Sequence, residues 1–494
     1  MIKSFFNDYV DYVKSSLLAK IILAGLGILL VLGIFDFVLL RNFIPTLYFV
    51  LLIILYLLIL VLTFIIHYKK VKISAVIEVI LAILMIFLCV TGFTLDDVSD
   101  DLTDTKVYEY VYVVALSDSK IEADDDFSKY TLAYASDDDT AYSRGADIIN
   151  ENDKKVKQFK PYKSTKSAYK AFKEGKVELL VLTPNTASDL DLMCTDDEID
   201  FVDENYESDY KIIFSKAYEL ESADAKEVDI SKEPFTLYLQ GTDLSSGKNI
   251  NSTGRGDVNI LLTVNPKTKK INTQVIPRDL LVYIACRGGH SKLSYSGWWG
   301  GIGSSINSIE EYFGVTINYY AKINFTGLMD LVDALGGVEV YSNYAYSADL
   351  DGTTYSWKKG YNKIKTGHEA LIFARARKML PNNERSRGLQ QMELIKAIFK
   401  KFQEEPTYDH AMSILNALKG NFTTNYPKED FSKAIDLVIK LLPQLTTMES
   451  HSMEGKYIWQ YDEVRTTYYQ YYFKPKKGEK KKVVNRINKV LEGK

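Results

Sequence analysis

The sequence predicts an α/β protein with an α+β-like layered arrangement: a central mixed β-sheet covered by helices, preceded by a smaller α/β accessory domain and three N-terminal transmembrane helices. Three observations carry that expectation. Three long apolar runs fill the first hundred residues, the stretch after Pro234 mixes strand-like and helix-like periods, and the segment between them is distinctly acidic. The boundaries that follow are residues 1–104 for the anchor, 105–230 for the accessory domain and 231–494 for the main domain.

The apolar runs extend from Leu18 to Leu40, Phe43 to Ile66 and Ile73 to Phe93. Each is long enough to cross a hydrocarbon core of roughly 30 Å. A cleaved signal peptide has one shorter apolar core before a small-residue cleavage site, so these read as retained anchors. Lys3, Lys14 and Lys20 flank the start, and His67, Lys69, Lys70 and Lys72 separate the second and third runs. By the positive-inside rule both loops are cytoplasmic, which puts the chain in the plasma membrane, multi-pass, with its N-terminus inside and residues beyond 104 outside. Asp96, Asp97, Asp100, Asp101 and Asp104 agree, since they sit poorly against an anionic inner leaflet. Asp36, inside the first run, reads as a polar contact between helices.

In the accessory region the runs Asp124-Asp125-Asp126 and Asp137-Asp138-Asp139 read as solvated loops rather than cation sites. Strands are expected at Val107–Leu116, Glu178–Thr183 and Lys211–Phe214, and a helix at Ser164–Lys173. Beyond Pro234, strands are expected at Phe235–Gln240, Asp257–Val264, Lys270–Ile276, Val315–Lys322 and Val338–Val340. The second and third are joined by a turn at Asn265-Pro266-Lys267-Thr268. Helices are expected at Ser304–Phe313, Phe325–Ala334, Gly367–Phe373, Arg385–Phe402, Lys428–Leu441 and Lys482–Leu491.

Composition removes several chemistries. Of three cysteines, Cys89 lies in an apolar run, leaving Cys194 and Cys286, which is no disulfide framework. The five histidines are scattered and form no zinc-ligand spacing with cysteine, and neither a Gly-x-Ser-x-Gly elbow nor a P-loop is present. A net charge of −4 gives no nucleic-acid footprint.

Arginine is the informative residue. Seven of the eleven arginines are Arg255, Arg278, Arg287, Arg375, Arg377, Arg385 and Arg387, and several stand in short motifs with aspartate: Gly254-Arg255-Gly256-Asp257, Pro277-Arg278-Asp279 and Arg375-Ala376-Arg377. A guanidinium offers paired planar donors to phosphate or carboxylate oxygens, whereas an ammonium acts as a point charge. The cluster therefore points to an oxyanion site, with phosphate the expected anion.

Those motifs carry a resemblance. Gly241-Thr242-Asp243, Gly254-Arg255-Gly256-Asp257 and Ile276-Pro277-Arg278-Asp279 appear in order, then Lys292-Leu293-Ser294-Tyr295-Ser296-Gly297, Asn324-Phe325-Thr326-Gly327 and Leu331 to Val338. Gly367 to Arg377, followed by Arg387 and Gln391, completes the series. In this order they resemble the LytR–CpsA–Psr family of cell-wall glycopolymer ligases, and the three-span anchor looks like its capsule-type branch. The family usually has Ser where Gly256 stands and often Arg where Leu389 stands.

The resemblance implies a phosphotransferase. It would move a polyprenyl-pyrophosphate-linked glycan, whether capsule, teichoic acid or another polysaccharide, onto a peptidoglycan acceptor and release polyprenyl phosphate. Membrane lipid, and cell-envelope assembly proteins, would be its other partners. Arg278, Arg375, Arg377, Arg387 and Gln391 are the implied pyrophosphate ligands, with Arg255 and Lys292 in support and Arg387 preferred over Arg385. Asp243 and Asp257 are the implied ligands for Mg²⁺ or Mn²⁺, which favour hard oxygen donors. Asp257 and Asp279 are both candidates to orient or deprotonate the acceptor hydroxyl. Because Arg375 and Arg377 are two apart, they share a face only in an extended segment, so the preceding helix is expected to end near Phe373. Leu261, Leu262, Val264, Phe325, Leu328, Leu331, Val332 and Leu335 are candidates for an apolar lipid cleft, and Trp298 and Trp299 for its rim. The alternatives are a polyprenyl-pyrophosphate pyrophosphatase using the same arginines and metal with water, and a non-catalytic lipid-binding scaffold.

Overall fold

A computed structural model describes residues 2–138, 140–193, 206–220, 222–244, 249–350, 353–382, 384–405, 407–464 and 469–494. Asp139 and Cys194 lie outside the described residues. Cys89 and Cys286 are free thiols.

The chain opens with α1 (Ile2–Ser15), followed by three helices long and apolar enough to cross a membrane: α2 (Leu17–Leu40), α3 (Thr46–Lys69) and α4 (Val71–Leu102). Ser16 caps α2 by accepting from the Ala19 amide at 3.3 Å. The three pack through Leu29, Tyr56, Leu81 and Met85, with the Tyr56 hydroxyl donating to the Leu29 carbonyl at 2.6 Å. The helix of the third run does not end near Phe93. It continues through the acidic stretch to Leu102, because those carboxylates have partners: Lys419 Nζ lies 2.5 Å from Asp97, the Gly420 amide donates to Asp101 at 2.6 Å, and Lys428 pairs with Asp96 and Asp100. The Thr423 hydroxyl also reaches the Asp104 carbonyl at 2.8 Å.

A first sheet follows. It is built from β1 (Val107–Leu116), β2 (Thr131–Ala135), β3 (Gln158–Tyr162), β4 (Leu179–Leu182) and β5 (Tyr210–Leu220), with α5 (Ala141–Glu151), α6 (Thr165–Lys173) and α7 (Pro184–Met193) between strands. Its order is β3-β2-β4-β1-β5, and β1 is antiparallel to both neighbours. Strand β1 alternates faces, with Val111 and Val113 in one core and Val114 in the other.

The second sheet is larger. After β6 (Phe235–Thr242), β7 (Gly256–Asn265) and β8 (Lys270–Val275) comes a small ribbon of β9 (Leu281–Ile284) and β10 (Gly289–Lys292), then α8 (Leu293–Phe313), β11 (Tyr319–Asn324) and α9 (Phe325–Ala334). The strands β12 (Val338–Ser342), β13 (Tyr346–Leu350), β14 (Thr353–Trp357) and β15 (Gly360–Ile364) precede α10 (Gly367–Arg375), α11 (Glu384–Glu404) and α12 (Tyr408–Leu418). The chain closes with β16 (Phe422–Thr424), α13 (Phe431–Thr447), β17 (Ser450–Ser452), β18 (Gly455–Tyr461), β19 (Tyr469–Pro475) and α14 (Glu479–Leu491). The sheet order is β16-β11-β6-β7-β8-β17, mixed in direction as expected.

Alternation along β7 makes this a three-layer unit. Leu261 faces Ile302, Ile306 and Ile309 of α8 and Val483 and Ile487 of α14, while Ile260, Leu262 and Val264 face Met392 of α11 and Leu437, Leu441 and Leu445 of α13. Val332 and Leu335 belong to a third core with Val338, Trp357 and Phe373. Seven of the eight residues expected to line one apolar cleft therefore divide among three cores, where packing explains their spacing; Phe325 is half-buried under Arg375 instead.

Helix α8 begins at Leu293 rather than Ser304, because Gly300 and Gly301 break it: Gly301 has φ of 66°, so two helical pieces meet at a kink and the second resembles the expected helix. The 3₁₀ turn Lys428–Asp430 delays α13 to Phe431, and β11 starts at Tyr319 rather than Val315. Gly367 opens α10 where a Cβ would lie 2.1 Å from the Met329 carbonyl oxygen of α9. Gly367→Ala is therefore expected to lower stability by about 2–3 kcal/mol through overpacking against backbone, read as a fall in the thermal midpoint of the detergent-solubilised chain.

Candidate functional site

The predicted residues converge where β6 and β11 end and β7 begins. Asp243 directly follows β6, and its carboxylate accepts from the Arg255 amide at 2.9 Å and from Arg255 Nε at 2.6 Å. Arg255 also lies over the Trp298 ring, 5.0 Å from its centroid. Trp299 is buried in the α8 core with Arg287 over its ring, whereas Trp298 is half-buried at the edge of that core. Gly256 stands where a Cβ would be 2.8 Å from Gln240 Nε2 and 3.0 Å from Asn259 Oδ1. Gln240 donates to the Tyr238 hydroxyl at 2.9 Å, and that hydroxyl donates to Asn259 at 2.5 Å, so a buried amide network fills the space of the serine that the family pattern expects.

Asp257 lies beside the edge-on fork of Arg278, whose Nη1 is 2.7 Å away. Arg278 Nε is 3.9 Å from both Asp279 and Glu384. Lys292 approaches the same Asp279 oxygen, Oδ1, at 3.5 Å. From the start of α11, Arg387 donates to the Asp257 carbonyl at 3.3 Å and approaches Glu384 at 2.5 Å, while Arg377 reaches Glu384 at 3.0 Å. Glu384 is the hub that sequence reading missed. Three guanidinium groups surround one buried carboxylate in the manner they would surround a phosphate.

Two predicted ligands, Arg375 and Gln391, stand apart from the hub. Helix α10 ends at Arg375, not near Phe373, and only Ala376 turns extended (φ −54°, ψ 122°). Arg375 and Arg377 therefore diverge: Arg375 projects over the Phe325 ring at 5.0 Å, at the start of α9, and makes no ion pair among the described residues. Gln391 donates to the Ala374 carbonyl at 3.1 Å and so ties α11 to the end of α10. Arg385 turns away to Glu454 at 3.7 Å, which leaves Arg387 as the residue of that pair in the cluster. Arg287 donates to Asn185 of α7 at 2.6 Å, linking the two sheets' units.

The electrostatics separate the carboxylates. Burial pushes the Asp257 carboxyl up, but the guanidinium groups of Arg278, Arg387 and Arg255 outweigh it and hold it below the usual carboxylate range. Asp243 goes the other way: burial raises it, Arg255 pulls it back, and repulsion from Asp257 raises it again. Two buried carboxylates that repel each other, beside a Thr242 hydroxyl that is buried without a partner among the described residues, suit a hard divalent cation. No group of three or more His, Cys, Asp or Glu is so arranged among the described residues.

A second residue missed by sequence reading completes the site. Lys322 of β11 is 2% exposed, and its Nζ donates to the Ile250 and Ser252 carbonyls at 2.7 and 2.9 Å. Burial lowers its ammonium from 10.5 to about 7, against the pull of Asp243. Alternation along the strand does not by itself say which face is inward, so no local signal marked this lysine.

Two stability tests follow from this geometry. Glu384→Gln leaves Arg387 buried without its counter-charge and is expected to cost about 3 kcal/mol, measured as a fall in thermal midpoint. For Lys322 the folded pKa is depressed, so between pH 7 and 10.5 the unfolded chain holds a proton that the folded chain has released. Its burial penalty is fully present below pH 7 and fades as pH rises through that window. The wild-type thermal midpoint should gain on that of Lys322→Met between pH 7 and 9.5; parallel curves would contradict this.

Comparison with known proteins adds the last element. The LytR_cpsA_psr family model matches residues 206–489, which include every residue of the cluster. A polyisoprenyl-teichoic acid–peptidoglycan teichoic acid transferase TagU from Enterococcus faecalis is 32% identical over 220 residues, 44% of this chain and 71% of its own. The TagU of Bacillus cereus is 34% identical over 210 residues, 42% of this chain and 66% of its own, so this chain spans just under two thirds of that relative. A solved structure, protein gbs0355 from Streptococcus agalactiae, is 27% identical with a TM-score of 0.48, covering 55% of this chain and 92% of that one. With its motifs gathered at one end of the second sheet and the match running over more than half its length, the chain belongs to the LytR_cpsA_psr family.

Proposed function

We propose that the chain is a phosphotransferase that attaches a polyprenyl-pyrophosphate-linked glycopolymer to peptidoglycan. The observation that carries this is the cluster of Arg278, Arg377 and Arg387 around Asp257 and Glu384, inside the segment shared with relatives named as teichoic acid transferases. The acceptor hydroxyl oxygen would form a bond to the sugar-bearing phosphorus. The bond from that phosphorus to the bridging oxygen would break, polyprenyl phosphate would leave with the electron pair, and the hydroxyl proton would pass to a nearby base. The glycopolymer is then joined by a phosphodiester.

Charge stabilisation by prepositioned groups is the main demand of such a step. Arg278 and Arg387 are held in place by Asp257 and Glu384, so they need no reorganisation to face phosphate oxygens. Arg375, exposed and turned to Phe325, is a candidate for the polymer or lipid side of the anion. Because its proton affinity is depressed, Asp257 suits a group that stays ionised and orients the hydroxyl; Asp279, clamped by Lys292, is the other candidate. Asp243, Asp257 and Thr242 would hold Mg²⁺ or Mn²⁺, which when bound neutralises phosphate charge. The basic loops around α1 to α4 favour a cytoplasmic N-terminus and an outer-face site.

Asp257→Asn and Arg387→Ala should each reduce transfer about 100-fold or more, followed as polymer bound to peptidoglycan and polyprenyl phosphate released by the purified full chain in lipid. Chelation should abolish transfer, and Mg²⁺ or Mn²⁺ should restore it. Free sugar phosphate without attached polymer would sink the transferase reading in favour of hydrolysis.

A further inference from the structure

The ribbon β18–β19 carries a ladder of aromatic rings that the reaction above does not use. Its register pairs Tyr457 with Phe473, Trp459 with Tyr471 and Tyr461 with Tyr469. Side chains two apart on a strand share a face, so all six rings stand on one side. The pairs have centroids 5.8, 4.9 and 5.1 Å apart. The opposite face turns inward, where Tyr472 and Gln470 are buried and bonded to Asp462. The aromatic face is open at its two outer rungs, where Trp459 is 65% and Tyr469 66% exposed, and closes at the inner rung, where Phe473 is buried in the α8 core with Tyr457 packed beside it. Water is a poor solvent for such a surface, and a contiguous exposed aromatic face marks a binding site.

Two features say what covers it. The inner rung lies near the arginine cluster: the charges of Asp279, Glu384, Arg377 and Arg387 reach Tyr457, and its buried hydroxyl has no hydrogen-bond partner among the described residues. The Phe473 amide also donates to the Asp279 carbonyl at 2.8 Å. The ribbon is thus continuous with the oxyanion site. The second feature is position. Strand β18 follows β17, the edge strand opposite β16, and β16 is the edge tied to α4 through Thr423 and Asp104. Five strand spacings, about 24 Å, separate those edges, so the ribbon follows the sheet edge farthest from the one tied to α4.

We infer that the Tyr457–Tyr461 and Tyr469–Phe473 aromatic face is the subsite for the acceptor, a glycan strand of peptidoglycan, which stacks a sugar ring on the ladder and presents a hydroxyl to the arginine cluster. Rings suit this task because they offer flat apolar area at small entropic cost, with polar edges for hydroxyl groups. The two exposed rungs stand roughly 7 Å apart along the strand, the footprint of about one sugar ring. The inference rests on the transferase reading for the identity of the polymer.

The test uses the full chain in nanodiscs and, as probe, a soluble glycan strand of alternating N-acetylglucosamine and N-acetylmuramic acid. Trp459→Ala and Tyr471→Ala should weaken binding about tenfold each, while Trp459→Phe keeps most of it. Both positions are exposed on the ribbon, and an unchanged thermal midpoint would confirm intact folding. Binding of polyprenyl pyrophosphate should be unaffected by these variants and weakened by Arg387→Ala, so a failed pyrophosphate arm counts against the transferase reading and leaves the glycan arm standing by itself. Unchanged glycan affinity in the alanine variants overturns the subsite. So does quenching of Trp459 fluorescence by brominated lipid in the nanodisc, which would assign the ladder to the membrane.

Discussion

The site depends on mutual neutralisation of buried ions. Arg278 and Arg387 are largely drawn out of water beside the strand ends, with the more exposed Arg377 at their rim, and a guanidinium cannot shed its proton to escape the cost. Asp257, Asp279 and Glu384 make that burial tolerable, and Asp279 and Glu384 each serve more than one cation. Separating any pair leaves an uncompensated charge in a poorly solvated place. The same arrangement fixes where the forks point, and the order of β6, β7 and β8 in the sheet follows from having to deliver Asp243, Asp257 and Arg278 to one end.

Much of this was legible in the sequence because alternating strands and short turn-bounded motifs are local signals. Strands β6, β7 and β8 fell where periodicity placed them, and so did α9 and α11 to within a residue or two. The motif arginines and aspartates were found because their residue types are rare and ordered along the chain. What escaped was set by tertiary contact. Glu384 stands beside a predicted arginine but shows its role only when three distant guanidinium groups meet it. Lys322 sits in a strand where nothing local distinguishes an inward lysine from an outward one. The divergence of Arg375 and Arg377 turns on α10 persisting to Arg375, and helix ends are decided by the neighbour they pack on.

The apolar positions teach a complementary lesson. Leu261, Leu262, Val332 and Leu335 had the spacing of a lipid cleft, but the same spacing serves three separate cores. Periodicity reports that a face is buried and not what buries it. The ribbon β18–β19 went unassigned for the converse reason: its aromatic alternation is strand-like, yet its face looks outward, and exposure is not written in the period.

Helix α4 has a mechanical meaning beyond anchoring. Residues 93–102 rise about 15 Å above the end of the apolar run as an unbroken helix, and the ties from Lys419, Gly420 and Lys428 fasten the second sheet to its upper turns. The helix thereby acts as a ruler. The distance of the arginine cluster from the end of the apolar run is set by a residue count, and each added residue would also swing the domain around the helix axis by about 100°. The tether has both a length and a phase.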